Sequence, residues 1–183
     1  MQTVFIGGSR HVCAVSDAVR PSLDRIIERR LDVVIGDAPG ADRAVQDYLR
    51  RRDYPKVTVF CIDGRCRNNL GNWPVRAVAS TLRRKTLAYH ATKDRQMAEE
   101  ADCGLMLWNG HSAGTLANVA RLAVRRKPVR VYIEAEQRFV TVRDEGDWAE
   151  LLKACPKATG EKVTRLLLAE QREKARASEA ALF

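Results

Sequence analysis

The sequence predicts an α/β protein with a mainly parallel sheet of about five strands flanked by helices, and three observations lead there. Short apolar runs of strand length alternate with longer stretches of helical periodicity, the pattern of repeated βαβ units. Most of those runs lack clean polar alternation, as strands covered on both faces do. Three of them pass directly into glycine-containing loops, and in an open parallel sheet the ligand crevice lies just beyond the carboxyl ends of the strands.

Taken in order, the runs Thr3–Ile6, Asp32–Ile35, Val57–Ile62, Gly104–Trp108 and Val129–Ile133 read as five parallel strands. Helices are predicted from about Ser16 to Arg30, Ala41 to Arg52, Thr92 to Ala101 and Gly114 to Arg126, the last stopped by Pro128. The stretch Asp63 to Ala88, with Gly64, Gly71, Pro74 and many arginines, reads as an extended loop with a short helix. A segment that long is a lid or binding loop, with partial disorder as the rival reading. Arg138–Val142 then reads as a short strand and Asp147–Cys155 as a helix; beyond Pro156 and Gly160, an amphipathic helix runs from Glu161 to about Ala180. The expected organisation is an α/β domain over residues 1–135 and a small strand-helix-helix extension over 136–183. The extension's last helix, with Leu166, Leu167 and Leu168, either packs on the core or makes a homodimer contact.

Composition narrows the function classes. A chain of 183 residues, 45% hydrophobic, is long enough to bury an ordinary core and is not globally disordered. No apolar stretch approaches the roughly 18–20 residues that cross a bilayer, and no signal-like segment precedes Val4, so a cytoplasmic protein without a membrane partner is expected. Five cysteines at irregular spacing form no CxxC pair or zinc ladder; reduced thiols, no metal and no cofactor are expected. The net charge of +9 suggests an anionic partner.

The strand-end loops carry the candidate ligand residues. After the first strand, Gly7 and Gly8 let backbone approach a ligand, and Ser9 and Arg10 offer a hydroxyl and a guanidinium for phosphate, although a plain tight turn explains the glycines as well. After the second, Gly36-Asp37-Ala38-Pro39-Gly40-Ala41-Asp42-Arg43 opens a helix with Asp42 in its first turn. That carboxylate repels phosphate but accepts hydrogen bonds from ribose hydroxyls, or is simply a favourable first-turn charge. After the fourth, Trp108-Asn109-Gly110-His111-Ser112-Ala113-Gly114-Thr115 starts a helix with hydroxyls and no acid, the best phosphate cradle in the chain, with Ser112 or Thr115 as a plain N-cap the alternative. Trp108 is either core or a surface for stacking a base. Lys93 and Asp94, at the expected start of the helix before that strand, could reach a phosphate and a sugar hydroxyl; Thr92 as an N-cap and Asp94 as a first-turn acid is the plainer reading.

The segments Val4-Phe5-Ile6-Gly7-Gly8-Ser9-Arg10, Gly36 to Arg43, Lys93-Asp94-Arg95-Gln96-Met97 and Gly110 to Thr115 together resemble the SLOG superfamily of Rossmann-like proteins, its YspA-like branch most of all, over roughly residues 1 to 135. The resemblance implies a pocket formed by these loops and recognition of nucleotides or ADP-ribose-like molecules. Other members are Lonely Guy phosphoribohydrolases, molybdenum-cofactor carriers and DNA-processing proteins. The phosphoribohydrolases carry P-G-G-x-G-T-x-x-E, whose glutamate works at the N-glycosidic bond. Aligning Gly114-Thr115 puts Asn118 at that glutamate, and a neutral amide is neither nucleophile nor base. Asp94, Asp37 or Asp42 would then have to supply the carboxylate.

Three readings follow. The leading one is a sensor or carrier of a nucleotide derivative, with Ser112, Gly114, Thr115 and Arg10 on phosphate and Asp42 and Asn118 on ribose. The second is an N-glycoside hydrolase or transferase acting on nucleoside monophosphates or NAD-like nucleotides, with Asp94 and Asn118 at the reacting bond. The third, nucleic-acid binding, rests on the charge and on the clusters Arg50-Arg51-Arg52, Arg83-Arg84-Lys85 and Arg125-Arg126-Lys127, two of which also lie where helix C-termini favour cations.

Overall fold

Val4 and Ile6 of the first strand enter one apolar cluster and Phe5 enters another, so both faces of the strand are dry and no polar residue interrupts the run. The computed structural model describes residues 1–80 and 87–180. Within them the chain runs β1 (Thr3–Gly8), α1 (Arg20–Glu28), β2 (Asp32–Gly36), α2 (Ala41–Arg50), β3 (Val57–Ile62), β4 (Val75–Val78) and α3 (Leu87–Glu100). It continues through β5 (Cys103–Trp108), α4 (Ala113–Ala123), β6 (Val129–Ile133), a 3-10 turn (Glu134–Glu136), β7 (Arg138–Val142), α5 (Glu145–Ala154) and α6 (Lys157–Ala180).

The strands form one seven-stranded sheet in the order β4-β3-β2-β1-β5-β6-β7. All pairs are parallel except β6 with β7. This is the Rossmann-like α/β architecture the sequence predicts. The chain builds outward from β1 to β4 and returns through α3 to lay β5 on the other side of β1. The topological switch point, where crevices open in such sheets, therefore falls between β1 and β5. Leu23 and Ile26 of α1 and Val45 and Leu49 of α2 cover one face. Met97 of α3 and Leu116 and Val119 of α4 cover the other, joined by Leu151 of α5 and Val163 of α6.

Several local expectations are corrected. The segment after Asp63 contains the edge strand β4, whose first three residues are exposed, so no apolar run announces it. The residues before β4 are pinned rather than loose. Gln46, fully buried, donates to the carbonyl of Gly36 at 2.8 Å and accepts from the amide of Leu70 at 3.0 Å. The Trp73 indole N–H donates to the carbonyl of Tyr54 at 2.8 Å. The cluster Arg83-Arg84-Lys85 lies outside the described residues. Helix α1 starts at Arg20, not Ser16, because Pro21 sets its first turn. Helix α3 starts at Leu87, which puts Thr92 inside the helix and not at its N-cap. Gly160 does not separate two elements: α6 runs through it.

Cys61 and Cys66 are joined as a disulfide, against the expectation of reduced thiols; the turn after β3, closed by the Arg65 amide on the Ile62 carbonyl at 3.2 Å, brings their Cα atoms to 5.1 Å. Cys13, Cys103 and Cys155 are free.

Gly40, with φ of +79°, is the N-cap of α2, and a Cβ there would collide with the backbone of Arg10. Gly40→Ala should therefore cost about 3 kcal/mol in urea denaturation, combining left-handed strain with overpacking. An unchanged midpoint would mean that the first loop moves aside freely.

Candidate functional site

A pocket of about 310 Å³ opens at the carboxyl ends of β1 and β5, at the switch point. Ser9 holds its loops in register. Its amide donates to the carbonyl of Leu107 at 2.8 Å, and its carbonyl accepts from the amides of Val12 and Ala41, both at 3.1 Å. Its hydroxyl donates to Asn109 Oδ1 at 2.9 Å and accepts from the Asn109 amide at 3.1 Å. Ser9 is fully buried and stands behind the pocket wall, binding three loops together.

The start of α4 forms one wall. Ser112 is its N-cap, and its hydroxyl accepts from the amide of Thr115 at 3.3 Å and from the Thr115 hydroxyl at 2.9 Å. Asn109 Oδ1 supports the turn by accepting from the amides of His111 at 3.1 Å and Ser112 at 3.0 Å. The cap leaves the Ala113 and Gly114 amides without an intrahelical acceptor. No atom approaches within 4 Å of the place where a Gly114 side chain would stand, and the first turn carries no acid. Such an end attracts an anion. Trp108 lies in the core, 3% exposed, and its indole N–H donates to the Ser112 carbonyl at 3.2 Å, bracing the cap from behind.

Beside that helix start runs a chain of paired charges. Asp37, at the end of β2, is gripped by Arg67 through Nη2 at 2.7 Å, Nε at 3.0 Å and the backbone amide at 3.0 Å. Lys93 Nζ, on α3, lies 3.8 Å from Asp37 and 3.1 Å from Asp94. Asp94 Oδ2 accepts from Asn118 Nδ2 at 3.5 Å, and Asn118 Oδ1 accepts from Arg121. Arg121, 4% exposed, ends the chain against Glu170 of α6, with Nε donating at 3.2 Å. Asp42, 6% exposed, accepts from the amide of Ala38 at 3.1 Å.

Burial pushes the Asp42 carboxyl up to about 6, Asp94 and Asp37 add to the rise, and Lys93 opposes it. Burial also opposes the charge on Asp37, but Arg67 and Lys93 outweigh it and hold that carboxyl below the ordinary range. Asp94 behaves likewise: Lys93 and Arg121 overcome its burial and keep it low. Lys93, despite its burial, is held above the ordinary lysine value by Asp94, Asp42 and Asp37. Burial and the nearby cations Arg67, Arg10 and Lys93 lower His90, which is neutral at physiological pH.

Of the residues singled out in the sequence, Gly7, Gly8, Arg10, Asp42, Lys93, Asp94, Ser112, Gly114, Thr115 and Asn118 line the pocket. Gly36 lies beneath, its missing side chain replaced by Asp42 Oδ2 and Lys93 Nζ. Asp37 is spent on Arg67, Ala41 packs on Gly8, and Gly110 shapes the turn with φ of +87°. Gly40 and Arg43 face a different groove. Sequence reasoning missed Arg67, Lys162, His11 and His90; Asn109 and His111, within the turn it named, and Arg121, farther along the same helix, also line the pocket. Only the long arginine-rich loop signalled Arg67; nothing in sequence brings Lys162 of α6 to the mouth. Among the described residues no group of acids, histidines and cysteines is placed to hold a metal ion.

A scan against protein-family models finds no match, and a search of curated proteins finds none. Among solved structures, DNA processing protein A from Helicobacter pylori, described for a unique single-stranded DNA binding mode, is similar with a TM-score of 0.55 and 15% identity. The likeness covers 92% of this chain and 81% of that one. At that identity it shows the fold, a Rossmann-like α/β sheet. No described helix is long and apolar enough to cross a membrane.

The raised Asp42 has a measurable consequence. A folded-state value of about 6 against the ordinary 3.8 means that the folded state holds this proton more tightly than the unfolded chain. Its contribution is complete below the ordinary value and is lost as pH rises through 6. Asp37 and Asp94, both depressed, act oppositely and lose their contribution on acidification. Asp42→Asn should therefore gain stability relative to the parent between pH 4 and pH 8, approaching about 3 kcal/mol, in urea denaturation at both values. A difference independent of pH would place the extra proton elsewhere.

Proposed function

We propose that this chain belongs to the SLOG superfamily and binds a nucleotide derivative in the switch-point pocket, as a sensor or carrier. The observation that carries the reading is the acid-free start of α4, open at Gly114, facing a mouth ringed by Arg10, Arg67 and Lys162. A phosphate on the Ala113 and Gly114 amides would face helix dipole and cations together. The acids Asp42 and Asp94 line the same pocket, where Asp42 can accept from ribose hydroxyls. Isothermal titration calorimetry with AMP, NAD and ADP-ribose tests this reading, and absence of heat for all of them would overturn it. Gly114→Asp has open space for its side chain and should leave the melting temperature unchanged. It should weaken binding at least about tenfold, because the new carboxylate stands where the phosphate would lie.

A second reading, N-glycoside cleavage, is favoured by one specific contact. Asp94 reaches within 3.5 Å of Asn118 Nδ2, so α3 delivers a carboxylate beside the position where the resembled hydrolases carry glutamate. Its depressed pKa keeps it ionised at neutral pH, as a nucleophile or general base requires. The reading predicts free base released from a nucleoside monophosphate, detected chromatographically, and a loss of more than about 100-fold in Asp94→Asn. Intact nucleotide after prolonged incubation at high protein concentration would leave binding alone.

A further inference from the structure

We infer that the ligand is longer than a mononucleotide, and that a second groove, joined to the pocket through Arg10, takes its second phosphate-bearing unit. This rests on the pocket reading above. The pocket, about 310 Å³, is at the small end of the roughly 300–1,000 Å³ usual for small-molecule sites. The groove beside it measures about 690 Å³. It runs between the loop carrying Cys13 and Val15 and the first turns of α2, over Pro39 and Gly40. Arg10 lines both cavities, so pocket and groove share one guanidinium.

The groove's charges are not balanced. Arg20 is paired with Asp17 at 2.9 Å and Arg51 with Asp47 at 2.7 Å. Among the described residues, Arg10 and Arg43 have no acid within 4.0 Å, and both are exposed. Arg43 also stands in the first turn of α2, where the helix dipole disfavours a cation, so helix stability does not account for it. A phosphate between Arg10 and Arg43 would give both guanidiniums a partner through forked hydrogen bonds. The shared chemistry is a second phosphate carried beyond the first nucleoside. Two sources offer it: a phosphodiester-linked dinucleotide or strand, and a pyrophosphate-linked dinucleotide.

Calorimetry with AMP, linear pApA and NAD separates these cases in the parent, Arg43→Gln, Arg43→Lys and Arg143→Gln, the last an exposed arginine outside both cavities. At least one of pApA and NAD should bind about tenfold tighter than AMP, and whichever gains names the linkage. Arg43→Gln should abolish that gain while leaving AMP affinity and melting temperature unchanged. Arg43→Lys should keep part of it, since an ammonium supplies charge without the fork. Arg143→Gln should change nothing. If AMP binds but neither dinucleotide gains, or the gain survives Arg43→Gln, the groove is not a subsite and the pocket reading stands. If none of the three binds the parent, both fall.

Discussion

A single buried ammonium organises this protein's site. Lys93 is 4% exposed and sits mid-helix on α3, where an unpaired charge would cost several kcal/mol. Its burial is sustained only because Asp94 and Asp37 lie at 3.1 and 3.8 Å and Asp42 adds its field. Each acid is then held by something else: Asp37 by Arg67, Asp94 by Asn118, and through Asn118 by Arg121 and Glu170. One run of contacts thus couples the β2 and β3 loops to α3, α4 and α6. Gly36 has no side chain because this cluster occupies the space.

The cluster also sets the division of labour across the pocket. Counting Asp37, Asp42, Asp94 and Glu170 against Arg67, Lys93 and Arg121, there is one more acid than base. Asp42 is the member whose carboxyl rises, while its neighbours stay ionised. Two carboxyls in one pocket with their protonation driven apart are the usual preparation for acid and base roles. The acids Asp42 and Asp94, the open helix end and the cations Arg10 and Lys162 all line this one pocket. In the nucleotide reading we propose, phosphate would lie toward Gly114 and sugar hydroxyls toward Asp42.

Much of this was legible without coordinates. Strand length, doubly buried apolar runs and glycine-rich strand ends are local properties, and they specify the α/β class because both faces of β1, β2 and β5 must be dry. Gly7, Gly8, Asp42 and the Ser112–Thr115 turn are visible as candidate site residues for the same reason, since they sit just beyond such runs; Lys93 and Asp94 are singled out on an expected helix start at Thr92, whereas they lie mid-helix on α3. Where local pattern was weak, expectation failed. Edge strand β4 buries only one of its residues; Gly160 looks like a breaker but lies within α6; and the Cys61–Cys66 bond depends on a turn that spacing does not reveal.

What the sequence by itself determined is the repeating βα order and the residues that end each strand, since side-chain periodicity and backbone permissiveness are written residue by residue. What only the tertiary structure decided is which of those residues meet. Asp37 and Arg67, 30 positions apart, and Arg121 and Glu170, 49 apart, are ion pairs formed by neighbouring elements of the fold. Trp108 became a brace in the core and Arg43 turned to a second groove, because sheet order and helix rotation, not chain order, decide which way a side chain faces.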